Sequence, residues 1–548
     1  MALTTTAQDL LQAWFGLAEG DSNVVFVLEL EPYNLVTETT DTLYYASGMY
    51  RRAPSLSASR FVLPSFRISI IEQGAQVFSP RGIVTTEMFR SSPYTLGRFQ
   101  VVNPDGLEDN LVKFGLYSWT GRDFRVKVGD RSWAYGSFEV LAPLQGIIRG
   151  EPTFDLNTIS FEPIASIFDP FLPLQTDFYK GTGSLEGSEE LAGKPKPIWL
   201  GRKRGVKAPL LDSINLVYHL HGGAEAMASV DAVYEGGKLL TVTTDYTVDL
   251  TAGINTVELL AEPSFDITFD CTGPASVGNK PGAIVDHLLQ TYGGVASGSI
   301  DASAITAYDA EFNYDCGFWR SPDDTDTLGG AIEEMLRPRG FWVPTDDGTK
   351  ITFSWIKNPR TETASQTYTT RQIRNIARKG SRQPSYLRRV GYQHIPDPIT
   401  SAVGVIEGTA TLARQSTAWR FVEVSSAGIL TQHPSALAVE SLSPFYARLN
   451  ALAEANEQLA IFSQPWRLFD VDIATKPFFS WIGDYVAIDY PRFGLQDGGE
   501  LRDTEELDAR ITEASDPRIV EGNGTTLALV AGVSVDLNSR RIALECWG

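Results

Sequence analysis

Cysteine is nearly absent. Cys271, Cys316 and Cys546 stand far apart and form no CxxC pair. That argues against a disulfide framework, a cysteine-ligated zinc and an iron–sulfur cluster, and fits small buried thiols made in a reducing cytoplasm. Long apolar runs are missing too: none approaches the ~18 residues that a membrane span needs. The first twenty residues hold neither a basic region nor a continuous apolar stretch, so no secretory signal is expected there. GxSxG, HExxH, a P-loop and a GxGxxG opening a helix are all absent, which lowers the odds of the corresponding chemistries. Positive charge is in deficit, with 46 basic residues against 67 acidic and a net charge of −21. A polyanion does not bind such a surface by counterion release, so stable, sequence-independent nucleic-acid binding is disfavoured. Nucleic acid passing by without sticking is compatible with that charge, and so is simple solubility.

What is present describes a folded, strand-rich chain. At 548 residues it is too long for one core, and roughly three to five domains are expected. Aromatics make up 11% of the residues, which favours strands over helices. The expected architecture is multidomain and mainly β, with sandwich or barrel domains and small α+β modules.

The pattern along the chain gives the expected divisions. Residues 1–20 contain a short amphipathic helix, with Leu10, Leu11, Trp14 and Phe15 on one face. That face docks either on its own chain or on a neighbouring subunit. Residues 21–168 read as a β-sandwich or barrel, with strands near 24–30, 42–46, 66–71, 99–102, 124–130, 138–148 and 153–161. Residues 169–202 form a connector whose stretch Gly181 to Arg202 is loosened by glycine and then stiffened by Pro195 and Pro197. Residues 203–270 are β-rich, with strands at 241–248 and 256–269. Residues 271–360 are α+β. Helices fall near 281–292, 301–308 and 325–336, the last capped by Thr325 or Asp326, and a hairpin joins 341–345 to 350–356. Residues 361–548 are β-rich, with a long helix over 443–462 whose core side is Phe445, Leu449, Leu452 and Leu459. A Gly- and Asp-rich loop at 496–503 precedes a final hairpin through Asn538 and Ser539.

Candidate chemistry is sparse. His219 and His221 share one face of a strand, a spacing that suits two metal ligands, but no third ligand follows from sequence and polar packing explains them better. Asp323, Asp324 and Asp326 form an acidic cluster that lacks the glycine and glutamate of a calcium loop, so helix capping explains it better. Glu333 and Glu334 on the following helix could pair with this cluster as a hydrolase dyad. The one basic zone, Thr361 to Arg389, interleaves Arg371, Arg374, Arg378, Lys379, Arg382, Arg388 and Arg389 with Tyr368 and Tyr386. It suits either nucleic acid or a solvated or interface face. No residue is assigned a catalytic, cofactor-binding or metal-ligating role, and no cofactor is expected.

Several phrases carry a resemblance. They are Asn103-Pro104-Asp105-Gly106, Tyr117 to Arg122, Gly187 to Arg202, Leu216 to His221, Val230 to Gly237, Gly483 to Leu495 and the ending Ile542 to Gly548. Their order resembles the baseplate hub or tail-tip proteins of long-tailed, siphovirus-like bacteriophages and of gene-transfer particles. The resemblance implies a structural virion protein and no enzyme. It would be a homotrimeric hub that closes or extends the tail tube, joins it to fibres or tip proteins and lets DNA pass during ejection. Implied partners are distal tail, tape-measure and tail-fibre proteins, and the implied location is the virion tail tip. Some hubs of this group hold a cysteine-ligated iron–sulfur cluster near the C-terminus. This chain offers only Cys546 there, so that cofactor is not carried over. Alternatives are a distal tail ring, a tail-associated cell-wall hydrolase and a carbohydrate-binding adhesin.

Overall fold

The computed structural model describes residues 9–11, 14–15, 23–48, 50, 61–62, 65–69, 77–78, 84–85, 95–96, 98–165, 169–345, 349–404, 409–474, 480–490, 526–537 and 540–548. The fold is mainly β, with several sheets and short helices between them.

The strand Val24–Leu30 is the spine of the first sandwich. All of it is buried, as its unbroken apolar run requires. Alternation splits it between two cores. Val24, Phe26, Leu28 and Leu30 enter the main core; Val25 and Val27 meet Ala46, Tyr50 and Phe138 on the other side. Glu29, on that second side, is neutralised by Lys127 at 2.8 Å and Arg125 at 3.4 Å. The sheet order is Pro163–Ala165, Glu139–Ile148, Asp123–Asp130, Val24–Leu30, Leu43–Ala46. Against it packs a sheet ordered Thr153–Phe154, Thr158–Phe161, Phe99–Val102, Phe61–Val62. Phe99 meets Phe124 with ring centroids 4.7 Å apart, and Trp119 meets Phe161 at 4.9 Å.

This sandwich does not keep all the strands of 21–168 to itself. Ser65–Ser69 pairs with Thr526–Asp536, close to the C-terminus. Val84–Thr85 lies parallel to Leu437–Leu442. The main core consequently runs without a break from Phe26 and Phe124 to Val533 and Trp547. The N-terminal helical residues sit on that seam. Leu11 and Phe15 are buried in the same core. Trp14 packs edge-on against Phe26 and donates its indole N–H to the Leu537 carbonyl at 3.0 Å. Arg374 donates to the Phe15 carbonyl at 2.7 Å. The apolar face of this segment is therefore covered by its own chain.

The strand Ile198–Val206 crosses the expected boundary at 202/203. It pairs with Gly317–Arg320 on one side and Ile267–Pro274 on the other. Trp199 and Val206 fill one core, Ile198 and Leu200 another, so the strand is shared between two modules. Ile267–Pro274 likewise crosses the expected boundary at 270/271. The strand expected over 256–269 is two strands, Thr256–Leu259 and Ile267–Pro274. Between them lies Pro263, which has no N–H to give a ladder. The strand expected from 241 begins only at Tyr246, because the Thr241 N–H donates to the Asp245 carboxylate at 2.7 Å and folds a turn.

The glycine-rich stretch before Ile198 is folded, not loose. Gly181 N–H donates to Glu186 O at 2.9 Å, Gly193 N–H to Tyr179 O at 2.9 Å and Lys196 N–H to Asp177 O at 2.8 Å. Gly181 has φ 70°, and a Cβ there would stand 2.7 Å from that of Ala192. Glycine here is a requirement of tight packing as much as a source of freedom.

Three helices cover the mixed module: Pro281–His287, Ala302–Glu311 and Leu328–Leu336. The last is capped by Thr327, whose Oγ1 accepts the Gly330 N–H at 3.2 Å, two residues later than Thr325 and one later than Asp326. The hairpin Gly340–Pro344 with Ile351–Trp355 matches its expected position. The long helix is Arg448–Phe462. Its inner face is Ala451, Glu454, Ala455, Gln458, Ile461 and Phe462, while Leu449 is 73% exposed. The alanines let the helix lie close on the strand Ser385–Tyr392, and a leucine stripe would hold it off. The C-terminal sheet runs Gln366–Thr369, Tyr485–Asp489, Thr526–Asp536, Arg541–Trp547, Trp466–Ile473, Ile373–Arg382. Its last hairpin pairs Asp536 with Arg541. The turn residues Asn538 and Ser539, and the loop expected at 496–503, lie outside the described residues.

Candidate functional site

His219 and His221 do not converge. His219 ends the strand Val217–His219, and its Nδ1 meets the Tyr179 hydroxyl at 2.7 Å. Burial lowers its pKa to about 4. The His221 Nδ1 accepts the Trp199 backbone N–H at 3.1 Å, which leaves the proton on Nε2. That Nε2 faces Glu225 at 3.7 Å, and Nε2 of His287 faces the other oxygen of Glu225 at 3.8 Å. The Glu225 pKa is lowered to about 2, chiefly by the His221 imidazole beside it. Among the described residues no group of three or more His, Cys, Asp and Glu could hold a metal ion. His221, Glu225 and His287 are best described as a polar clasp between the segment 221–225 and the helix Pro281–His287. Sequence reasoning found His221 but missed its partners, because His287 is 66 positions away and carries no motif.

The acidic cluster serves three different partners. Asp323 pairs with Lys194 at 2.9 Å. Asp324 accepts the Ser321 N–H at 2.6 Å. Asp326 and Glu334 both accept from Arg320 at 2.5 Å. Glu334 is held ionised by this pairing, its pKa lowered by Arg320 and Lys203 against the effect of burial. The structure does bring Glu334 beside Asp326, but with Arg320 clamped between them, and a carboxylate held in that way is a poor general acid. Capping by Asp326 gives way to its ion pair with Arg320, and Thr327 takes the cap.

The basic zone divides: Arg388 is buried and Arg382 and Arg389 are half-buried, while Arg371, Arg374, Arg378 and Lys379 are exposed. Lys379 reaches Glu545 at 2.8 Å and Asp470 at 3.3 Å. Arg389 pairs with Glu440 at 2.9 Å and Glu423 at 3.2 Å, and lies over Phe421. Arg382 and Arg388 both stand over the Phe462 ring, and burial lowers the Arg382 pKa to about 10. Tyr368 is buried and bonds Ser480 at 2.7 Å. Lys379 and Arg389 tie neighbouring strands together, while Arg382 and Arg388 tie a sheet to the helix Arg448–Phe462.

The cysteines are buried, each in a different hydrophobic cluster: Cys271, Cys316 and Cys546. Burial pushes all three thiols up. No described helix is long and apolar enough to cross a membrane.

No family model matches the chain, and a search of curated proteins finds no match. Solved structures are similar in outline. One is a chain in the virion of a native gene transfer agent particle, with 12% identity over 70% of this chain and 89% of that one, at a TM-score of 0.37. A second is the 43 kDa tail protein of prophage MuSo2 from Shewanella oneidensis, with 6% identity over 96% and 98%, at 0.35. A third is a prophage tail protein from Listeria monocytogenes, with 8% identity over 96% and 94%, at 0.35.

Proposed function

We propose that this chain is a structural, non-enzymatic protein of a phage-type tail. Within that class we assign it to the hub at the tail tip, a homotrimer that closes or extends the tube and joins it to distal tail, tape-measure and fibre proteins. The observation that carries the reading is the interlocked connectivity. Ser65–Ser69 closes onto Thr526–Asp536, and Val84–Thr85 onto Leu437–Leu442. The first and last parts of the chain joined in this way cannot open separately, because releasing one breaks pairing in the other. A part that passes force between a tube and its fibres needs that property. A soluble enzyme domain does not.

The order of strand–turn phrases noted in the sequence supports the same assignment. The net charge of −21 then has a use, since an acidic passage repels phosphate and lets DNA slide.

The test is to purify tail particles from producing cells and measure the mass of the free protein. The chain should co-purify with particles, and its soluble form should have about three times the 60.1 kDa chain mass. A strictly monomeric protein present in no particle would overturn the reading.

A further inference from the structure

One end of the first sandwich gathers three connections. Leu30 pairs with both Leu43 and Phe124, which places residues 31–42 and 116–122 at that end. Val102 pairs with Thr158, and Asp123 with Ile147, which brings 103–115 and 149–157 there too. Backbone bonds stitch the loops together: Leu35 N–H to Leu116 O at 2.8 Å, and Asn103 N–H to Asn157 O at 2.6 Å.

On these loops stand Leu35, Val36, Leu107, Phe114, Phe154 and Leu156. All six are exposed, Phe114 and Leu156 almost completely at 103% and 93%. Exposed apolar residues are normally scattered singly, and six on the loops of one end mark a contact surface. The loops that carry them are pinned. Asn34 Oδ1 accepts the Val36 N–H at 3.0 Å, and Asp155 Oδ1 accepts from Asn157 at 2.8 Å and Thr158 at 2.7 Å. Asn103 bonds Asp109 at 2.8 Å and accepts the Glu108 N–H at 2.9 Å. Turns already fixed lose little entropy on docking.

We propose that this end docks into an apolar groove of a different protein chain, one rimmed by lysine and arginine. The charge decides the occupant. The connections 31–42, 103–122 and 149–157 carry eight acidic side chains against three basic ones. A second copy would bring the same sign to the same end, and like charges across an interface oppose it. A basic partner is drawn in instead. This inference rests on the tail-protein reading above and names one of its interfaces.

The experiment places a photocrosslinking amino acid at position 114 in one full-length variant and at 156 in another, and irradiates assembled particles. The expected product joins this chain to a different one, at a peptide flanked by Lys or Arg. Crosslinks to a second copy of this chain, or none at either position while the protein is in the particle, overturn the inference. A chain missing from every particle instead defeats the tail-protein reading. In parallel, the exposed-site variants Phe114→Asp and Leu156→Asp should melt as the parent does, yet enter particles at least tenfold less. Normal incorporation of both overturns the inference.

Discussion

The Arg339 guanidinium donates through Nε to the Glu454 carboxylate at 2.8 Å, with both side chains almost wholly buried. The pair ties the start of the hairpin at Gly340 to the middle of the helix Arg448–Phe462. Gln458 adds a bond to Glu454 at 3.0 Å, and Arg339 also donates to the Ile356 carbonyl at 3.0 Å. Burial pushes the Glu454 carboxyl up while Arg339 pulls against it. Arg339 also reaches the partly exposed Glu311 at 3.4 Å, so removing Glu454 leaves a buried guanidinium with only that longer ion pair. Glu454→Ala should cost about 3–5 kcal/mol in urea denaturation. The double variant Arg339→Met with Glu454→Leu should recover most of that loss. A single variant as stable as the parent would show the pair to be incidental.

Acidification should weaken the fold through His219. Its folded pKa is about 4, below the usual 6.5, because of burial. The unfolded chain therefore takes up a proton that the native state refuses, and stability falls as pH drops below 6.5 toward 4. Between pH 7 and 4.5 the loss assigned to this residue is about 2–3 kcal/mol. His219→Gln keeps a partner for Tyr179 and should show that much less pH dependence in denaturant midpoints. An identical pH profile would contradict the assignment.

Gly201 should tolerate no side chain. It has φ 62°, and a Cβ would meet the Cys316 carbonyl oxygen at 2.4 Å. Gly201→Ala should destabilise by more than about 2 kcal/mol, combining backbone strain with displacement of a paired strand. Gly253→Ala is the control. Its φ is also positive, at 77°, but the space around it is open, so it carries the backbone cost alone. Equal losses at the two sites would show that packing at Gly201 is slack.

The N-terminal segment should behave as part of the core. Leu11 is fully buried, and Leu11→Ala should cost about 2–5 kcal/mol in thermal or urea melts. It should also expose the segment to limited proteolysis. A neutral result would mean that the seam between the sandwich and the C-terminal sheet is held without it.

Local structure was readable in the sequence wherever periodicity was strong. Val24–Leu30, the alternating run at 124–130 and the hairpin after Gly340 stand where the pattern puts them. The pairing of Ser65–Ser69 with Thr526–Asp536 was not readable, because partners so far apart leave no local signature. The long helix misled for a related reason. Phe445 and Leu452 of the expected core side do pack into the core, but Leu449 is exposed, and the close approach to a sheet is made by Ala451 and Ala455 with a buried ion pair. The expected candidates for chemistry, His219 with His221 and Glu333 and Glu334 with the acidic cluster, rest on spacing. Spacing cannot show that Tyr179, Glu225 or Arg320 is waiting beside them.

The most direct test of the tail-hub assignment is a cryo-electron microscopy map of intact particles from producing cells. The account predicts three copies around the tail axis at one end of the tube, with the strand Ile198–Val206 and Trp199 well ordered in each. A map with no copies on that axis, or with this chain confined to peripheral fibres, would contradict it.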